Sequence, residues 1–493
     1  MLGLSCSKTD CMLTDDQHYQ ALLSRDRRFD GVFFVGVAST GIYCRTVCTA
    51  KPPQRKNCTF YPSAAAAERA GYRPCLRCRP ELAPGQAKID AIGRLAAAAA
   101  GQIENGVLTE RSVAELAQLL GVSDRHLRRV LRQELGVSPI QLAQTQRLLL
   151  AKRLLTDSPL SIAEVAFASG FSSVRRLNVL FKERYRLRPT DLRKTQRPTS
   201  RSGPETLRCE LAYRPPFHWA KLLDFLAGRA IAGVEQIERD RYQRTVQIGS
   251  HQGWICISPL PTQDKLQVEL SVSLVAAILP VLTRVKALFD LAADPVAIAT
   301  HLEQANLGQW MPTCEGLRVP GAFDGFEVAV RAILGQQVSV KAATTLMGRV
   351  VQTFGSPLQT PQLGLTHLTP TAAQLAAAEV TSLTSLGIVS RRAQAIVALA
   401  QAMVRGELQL VPYADVDVTV ERLKALPGIG DWTAQYMAMR VLAYPDAFPH
   451  SDLVLRQRLG VDRPQQVWQI AEAWRPWRAY AAMCLWTSLE TVK

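Results

Sequence analysis

Four cysteines near the N-terminus form two close pairs that could hold a metal ion. Cys44 is followed by Cys48 after three residues, and Cys75 by Cys78 after two. Two such pairs of thiolates make the tetrahedral site that binds Zn²⁺ in proteins. The spacing alone is typical of a structural zinc site that stabilises a small domain. A second interpretation stays open, in which basic residues of the same loops hold a phosphate backbone against a nucleophilic thiolate; they are Arg45, Lys51, Arg73, Arg77 and Arg79.

A second candidate site, in the C-terminal half, combines a glycine turn with a carboxylate. The segment 426–434 reads Leu-Pro-Gly-Ile-Gly-Asp-Trp-Thr-Ala and predicts a helix, a turn at Gly428 and Gly430, and a new helix. Backbone N–H groups of such a helix-hairpin-helix can bind a DNA phosphate without net positive charge. Asp452 follows in Phe-Pro-His-Ser-Asp-Leu. Its carboxylate could take part in catalysis, or merely cap a helix beginning near Leu453.

The residues around the cysteine pairs resemble a known family. Segments 33–45 and 71–78 are similar to the metal-binding domain of the Ada DNA repair regulators, over about residues 15–85. The resemblance implies that Cys44 takes a methyl group from a DNA methylphosphotriester in a one-way transfer, with Arg45 contacting DNA. Methylation makes the site less negative, which favours DNA binding. The implied ligands of one Zn²⁺ are Cys44, Cys48, Cys75 and Cys78.

The hairpin and Asp452 resemble a second family. Together with segments 331–340 and 475–480, they are similar to the helix-hairpin-helix DNA glycosylases, and within them to the AlkA type, over about residues 205–490. The resemblance implies that Asp452 is catalytic and that Gly428 and Gly430 bind DNA. Gln337 stands where a relative places a leucine that fills the gap left by the flipped base. The aromatic side chains that match the base pocket are Trp432, Tyr436 and Trp486, although tryptophans at these positions could also be core residues.

Two departures from related glycosylases refine this expectation. Bifunctional relatives carry a lysine that forms a Schiff base, and Trp432 occupies that position here. We therefore expect a monofunctional enzyme that uses water and does not cut the strand. Iron–sulfur relatives carry four cysteines after the aspartate, whereas only Cys484 follows Asp452 in this chain, so no cluster is expected.

Two segments in the middle of the chain, 112–142 and 161–192, repeat each other. Each opens with Ser-x-x-Glu, which predicts a helix start, and each has a glycine at the same offset, where a tight turn needs positive φ. A second helix follows, and we expect Ser123 and Ser172 to cap it in the two copies. Helix, short turn and helix form the helix-turn-helix layout.

The second helices of both copies carry polar faces suited to DNA. One basic face alone is also typical of a solvated helix surface, but two matched units favour DNA binding. Segments 166–171 and 181–182, followed by Pro189, resemble the AraC-type regulator domain, which implies two recognition helices in successive major grooves. The candidate DNA-binding residues are Arg125, Arg128 and Arg129 in the first copy, and Arg175, Arg176 and Asn178 in the second.

Charge and length agree with several DNA-directed domains. Residues 1–201 hold 32 basic and 17 acidic side chains, a net charge of +15, against +1 for the remaining 292 residues of the 493. An excess of positive charge indicates a nucleic-acid partner. The chain has no run of about 18 apolar residues and no signal-peptide pattern, so we expect a soluble, cytoplasmic protein without a membrane partner. Eleven cysteines without a secretory signal do not favour a disulfide scaffold, and Cys6, Cys11 and Cys58 fit no pattern.

The expected fold is multidomain, mainly α with α+β parts. We predict a zinc domain at 1–86, a double helix-turn-helix domain at 87–197, an α+β domain at 205–300 and an all-α helix-hairpin-helix domain at 301–493, with a linker at 198–204. Within 205–290 the pattern predicts strands at 206–213, 245–248, 254–258 and 267–271, and helices at 217–227 and 276–291. The chain lacks a Pro-Cys-His-Arg motif, so methylguanine transfer is not expected.

The combined expectation is a fusion protein for alkylation damage. One half senses methylated phosphates and switches on repair genes from promoter DNA, with RNA polymerase as a partner, and the other excises bases of the 3-methyladenine type from alkylated double-stranded DNA. We expect a monomer. Two alternatives remain open: a transcriptional regulator whose glycosylase-like half is not catalytic, and a zinc site that is only structural.

Overall fold

The computed structural model describes residues 13–84, 93–195, 206–412 and 414–487. The chain divides into two compact units, unit 1 (Met1–Thr199) and unit 2 (Ser200–Lys493). No helix among the described residues is both long and apolar enough to cross a membrane. The predicted linker at 198–204, as well as Cys6 and Cys11, lie outside the described residues.

Unit 1 begins with a small mixed sheet that carries the cysteine pairs. The strands lie in the order β3-β1-β2-β4, with β2 antiparallel to β1 and parallel to β4. The elements of this part are α1 (Asp15–Leu23), β1 (Phe34–Val37), β2 (Ile42–Cys44), β3 (Cys58–Tyr61), α2 (Ala64–Arg69) and β4 (Arg73–Pro74). The parallel pairing of β2 with β4 brings the two cysteine pairs together, because Cys44 ends β2 and Cys75 follows β4.

The rest of unit 1 is helical and contains the predicted repeat. The helices are α3 (Arg94–Glu104), α4 (Val107–Glu110), α5 (Val113–Leu119), α6 (Asp124–Leu135), α7 (Pro139–Asp157), α8 (Ile162–Ala168), α9 (Val174–Tyr185) and α10 (Pro189–Thr195). Capping boxes start α5 and α8, and the two turn glycines adopt positive φ, as predicted. One cap prediction is wrong, since Ser173 rather than Ser172 accepts the backbone N–H that caps α9. Ala65 and Ala66 of α2 share a buried core with Leu131 and Leu135 of α6, so the sheet part and the helical part of unit 1 pack together.

Unit 2 opens with a five-stranded antiparallel sheet. Its strands are β5 (Thr206–Ala212), β6 (Glu235–Glu238), β7 (Arg241–Ile248), β8 (His251–Leu260) and β9 (Lys265–Ser271), in the order β5-β9-β8-β7-β6. Four of these strands were predicted within a few residues. The sequence did not predict β6, an edge strand whose side chains are half-buried or exposed and whose hydrophobic pattern is therefore weak.

The remaining elements of unit 2 are mainly helices and include those of the hairpin. They are α11 (Trp219–Ala227), α12 (Ile278–Leu288), α13 (Pro295–Leu302), α14 (Met311–Cys314), α15 (Gly325–Leu334), α16 (Val340–Phe354), β10 (Ser356–Pro357), β11 (His367–Leu368), α17 (Ala372–Ala376), α18 (Val380–Thr384), α19 (Ser390–Val404), α20 (Val416–Lys424), α21 (Asp431–Arg440), α22 (Leu453–Leu459), α23 (Pro464–Ala471) and α24 (Arg478–Thr487). Helices α20 and α21 flank the glycine turn, and α22 begins directly after Asp452.

Candidate functional site

The four cysteines of unit 1 meet at one point. The sulfur atoms of Cys44, Cys48, Cys75 and Cys78 all lie within 4.8 Å of one another. A tetrahedral Zn²⁺ with Zn–S bonds of ~2.3 Å separates its sulfurs by about 3.8 Å, so the four thiolates fit this ion. Cys48 and Cys75 are buried, whereas Cys44 and Cys78 are half-buried.

The structure places Arg45, a predicted DNA contact, in a buried ion pair. Its guanidinium is buried, pairs with Asp30 with Nε 2.7 Å from Oδ1, and donates to the backbone carbonyl of Cys78. Its backbone N–H donates to the sulfur of Cys78 at 3.4 Å. In this structure Arg45 therefore supports the cysteine cluster, and its predicted contact with DNA stays a prediction. Arg79 is likewise bound, to Asp157 at 2.6 Å. Of the other three basic residues of these loops, Lys51 and Arg77 are exposed and Arg73 is half-buried.

Both second helices of the repeat present their predicted polar side chains to solvent. Their apolar faces are buried at Leu127 and Leu131 on α6 and at Leu177 and Phe181 on α9, which turns the opposite faces outward. On α6, Arg128 pairs with Asp124 at 2.8 Å, a surface contact that a phosphate can replace. The exposed residues are Arg125, Arg128, Arg129, Arg175, Arg176 and Asn178.

The glycine turn of unit 2 has the geometry of a phosphate-binding hairpin. Gly428 has a φ of 78°, and a side chain there would lie 3.3 Å from the Cβ of Ala395. Gly430 precedes α21 and has no heavy atom within 4 Å of the position a Cβ would take. The first N–H groups of a helix have no partner within that helix. The start of α21 is thus accessible to an anion.

Four N–H groups donate hydrogen bonds to the carboxylate of Asp452. Oδ2 accepts the indole N–H of Trp432 at 2.9 Å, and Oδ1 accepts that of Trp486 at 3.1 Å. Oδ1 also accepts the backbone N–H groups of Val454 and Leu455 and so caps α22. The capping interpretation and the pocket interpretation therefore describe the same side chain.

Three aromatic rings surround this carboxylate. Trp432 stacks on Tyr436 with ring centroids 5.3 Å apart, and Tyr436 lies 6.3 Å from Trp486. The two tryptophans are half-buried, so they are not core residues. Burial acts to raise the pKa of Tyr436, but the nearby guanidinium groups of Arg440, Arg229 and Arg331 hold that pKa below its usual value. The structure thus brings Asp452 together with the three predicted pocket residues, and it adds Arg440, which donates to the Tyr436 hydroxyl at 2.8 Å.

The sequence did not predict a disulfide between Cys314 on α14 and Cys484 on α24. The two cysteines are 170 residues apart in the chain, and no spacing pattern connects them. The sequence also did not predict the buried Glu68 of α2. Its carboxylate accepts hydrogen bonds from the hydroxyls of Tyr43, Thr145 and Tyr185. An acidic residue in an alanine-rich helix gives no sequence signal of burial.

Four family models match the chain in the order in which the sites occur. The metal binding domain of Ada matches residues 17–81, and a helix-turn-helix domain matches residues 116–195. The AlkA N-terminal domain matches residues 208–324, and the HhH-GPD superfamily of base excision DNA repair proteins matches residues 330–460.

One relative is similar to the chain over nearly its whole length. A probable bifunctional transcriptional activator/DNA repair enzyme AlkA of Mycobacterium tuberculosis is 37% identical over 482 residues, which are 96% of this chain and 96% of the relative. The chain belongs to this family of bifunctional activator/repair proteins. Its members join two parts that also occur separately. DNA-3-methyladenine glycosylase 2 of Escherichia coli is 37% identical over 276 residues, 56% of this chain and 95% of that protein.

The N-terminal part of this bifunctional protein also has relatives. The Escherichia coli bifunctional transcriptional activator/DNA repair enzyme Ada is 38% identical over 148 residues, 30% of this chain and 39% of that protein. A solved 3-methyladenine DNA glycosylase from Archaeoglobus fulgidus has the same fold as unit 2, with a TM-score of 0.50 at 19% identity over 58% of this chain and 100% of that chain. The predicted families, the fold class, the zinc site and DNA binding are thereby confirmed. The domain boundaries at 86, 197 and 300 and the roles of individual residues stay predictions.

Proposed function

We propose that unit 2 is a monofunctional DNA glycosylase that excises alkylated purines of the 3-methyladenine type. The observation that carries the proposal is the carboxylate of Asp452, held by two indole N–H groups at an aromatic pocket. A methylated purine carries positive charge and stacks well on electron-rich rings. Because its pairing is weakened, flipping it out of the duplex requires less free energy.

The chemistry follows from the way in which the carboxylate is held. The bond between the sugar C1′ and the purine nitrogen breaks, and its electrons leave with the base, whose positive charge is neutralised. Positive charge then develops on the sugar, where the fixed negative charge of Asp452 stabilises it. Oδ1 already accepts three N–H groups, whereas Oδ2 accepts one. Oδ2 therefore orients the water whose oxygen bonds C1′, and a proton passes to solvent.

Release of free bases from methylated DNA tests this function. Full-length protein is incubated with DNA treated with a methylating agent, and the released purines are measured by mass spectrometry. We expect release by the wild type and a loss of at least about a hundredfold in Asp452→Asn, which keeps the cap but removes the charge. No release by the wild type, or equal release by both proteins, would favour the regulator whose glycosylase-like half is not catalytic.

We further propose that unit 1 transfers a methyl group from a DNA methylphosphotriester to Cys44. Of the two half-buried cysteines, Cys78 accepts a hydrogen bond on its sulfur from the backbone N–H of Arg45. This bond draws electron density from the sulfur of Cys78. Cys44 is therefore the better nucleophile. Its sulfur bonds the methyl carbon, the carbon–oxygen bond to the phosphate breaks, and the phosphodiester leaves as an anion. Zn²⁺, when bound, keeps the four sulfurs deprotonated and in place.

Loss of a thiolate charge at Cys44 favours DNA binding, since one source of repulsion from phosphates is removed. We infer that the methylated protein, as a monomer, binds promoter DNA through α6 and α9 and recruits RNA polymerase to repair genes. Because both activities act on genomic DNA, we place the protein in the cytoplasm.

Mass spectrometry of the protein after incubation with methylphosphotriester DNA tests the transfer. We expect one added methyl group on the peptide that contains Cys44, and no damage-induced transcription in Cys44→Ala. A wild-type protein without added mass would make the zinc site only structural, and induction by Cys44→Ala would refute the switch.

A further inference from the structure

Gln336 connects two parts of unit 2 that both face DNA in the proposed function. It lies between α15 and α16, directly before Gln337. Its side-chain nitrogen donates to the backbone carbonyl of Gly428 at 2.9 Å and to the hydroxyl of Thr433 at 3.0 Å. Both protons of one amide group are therefore used, one on the glycine turn and one on α21.

The backbone of the same residue is held from the other side. The carbonyl of Gln336 accepts a hydrogen bond from the guanidinium of Arg392 on α19. Gln337, the next residue, is exposed and has a φ of 55°, in the left-handed region that non-glycine residues rarely adopt. Such a conformation persists only where the surrounding structure fixes it. The three bonds of Gln336 provide that fixation.

We propose that Gln336 is a positioning residue that ties the loop of Gln337 to the phosphate-binding turn. It contacts neither base nor sugar. When the turn at Gly428 and Gly430 binds the DNA backbone, the link sets Gln337 at the position where it fills the gap left by the flipped base. The inference rests on the glycosylase function proposed above and adds to it a residue for base flipping.

The chemistry of the link selects glutamine. The Gly428 carbonyl can only accept, and the side-chain nitrogen of Gln336 has two protons, one for this carbonyl and one for the Thr433 hydroxyl. A glutamate in place of Gln336 would set a carboxylate against that carbonyl. Thr433 follows Trp432 on α21, so one helix carries both a wall of the base pocket and an anchor of the gap-filling loop.

The test separates base flipping from bond cleavage. Full-length protein in an Asp452→Asn background, which holds the base without releasing it, is mixed with a duplex that carries 2-aminopurine beside 7-methylguanine. The fluorescence of 2-aminopurine rises when its neighbour leaves the stack. We expect Gln336→Leu to lower the flipping equilibrium about tenfold, as the loss of two hydrogen bonds implies. Binding to an undamaged duplex should change less than about threefold, because the phosphate contacts remain.

The control is Gln401→Leu, which replaces an exposed glutamine of α19 in the same unit and should leave flipping unchanged. If Gln336→Leu fails to fold by circular dichroism, Thr433→Val removes one of the two acceptors and should lower flipping about threefold. Normal flipping by a folded Gln336→Leu, or by Thr433→Val in its place, would overturn the positioning role alone. Absence of base release by the wild-type protein would overturn the glycosylase function and this inference with it.

Discussion

Replacement of Glu68 by glutamine is predicted to stabilise unit 1 at alkaline pH and to leave it nearly unchanged at acidic pH. Glu68 is 4% exposed, and its carboxylate accepts hydrogen bonds from the hydroxyls of Tyr43 and Tyr185 at 3.1 Å and of Thr145 at 2.9 Å. Burial raises the pKa of Glu68 from 4.5 to about 7, against these hydrogen bonds, which lower it. The folded state thus binds the proton of Glu68 more tightly than the unfolded state does.

The sign and the size of the effect follow from this difference. The stabilisation from the protonated side chain is fully present below pH 4.5 and is lost as the pH rises through about 7. A pKa displaced from 4.5 to about 7 corresponds to about 3 kcal/mol of unfolding free energy. A neutral amide at this position does not titrate, so Glu68→Gln keeps at pH 8 the stability that the wild type loses.

The assay uses signals that separate the two units. All eight tryptophans lie beyond residue 200, so their fluorescence reports unfolding of unit 2. Release of zinc to a colorimetric chelator during urea titration reports unfolding of unit 1. The difference between Glu68→Gln and wild type should grow by about 2 to 3 kcal/mol from pH 5 to pH 8 in the zinc signal, with no change in fluorescence. A difference that does not depend on pH, or a variant less stable than wild type at pH 8, would refute the assignment of the titration to Glu68.

Three further variants separate the sites. Gln337→Ala should leave the unfolding free energy within about 0.5 kcal/mol because its side chain is exposed, yet slow single-turnover base release about tenfold; a normal rate would argue against a gap-filling role. Trp486→Phe keeps the ring but removes the N–H donor to Asp452 and should slow release at least about tenfold, whereas an unchanged rate would show that this bond does not matter. Cys78→Ala should contain less zinc than the wild type, as measured by metal analysis, and should release bases at the wild-type rate. A full zinc content in this variant would contradict the four-cysteine site.

Local patterns predicted the elements of both units well where the rule depends on adjacent residues. The capping boxes of α5 and α8 and the hairpin around Gly428 depend on a few neighbouring positions, and the structure contains all three. The displaced cap at Ser173 shows the limit of such rules. Two serines in succession offer the same side chain, and only the backbone conformation decides which of them faces the helix.

Contacts between segments that are distant in the chain could not be predicted from the sequence alone. Arg45 lies among the cysteine loops and suggests a phosphate contact, but its partner Asp30 is buried beside it in the fold. Gln336 lies in segment 331–340, which carries part of the family resemblance, yet its bonds to Gly428 and Thr433 join segments more than 90 residues apart. The aromatic residues around Asp452 could be predicted only through the family resemblance, since Trp432, Asp452 and Trp486 lie on three different helices or their caps.

The central claim is that one chain both excises alkylated bases through Asp452 and accepts methyl groups at Cys44. The most direct measurement follows both products in a single incubation with methylated duplex DNA, for the wild type, Asp452→Asn and Cys44→Ala. We expect the wild type to release methylated purines and to gain a methyl group. Asp452→Asn should lose only the release, and Cys44→Ala only the gain at position 44. Release that persists in Asp452→Asn, or a wild type that gains no methyl group, would contradict it.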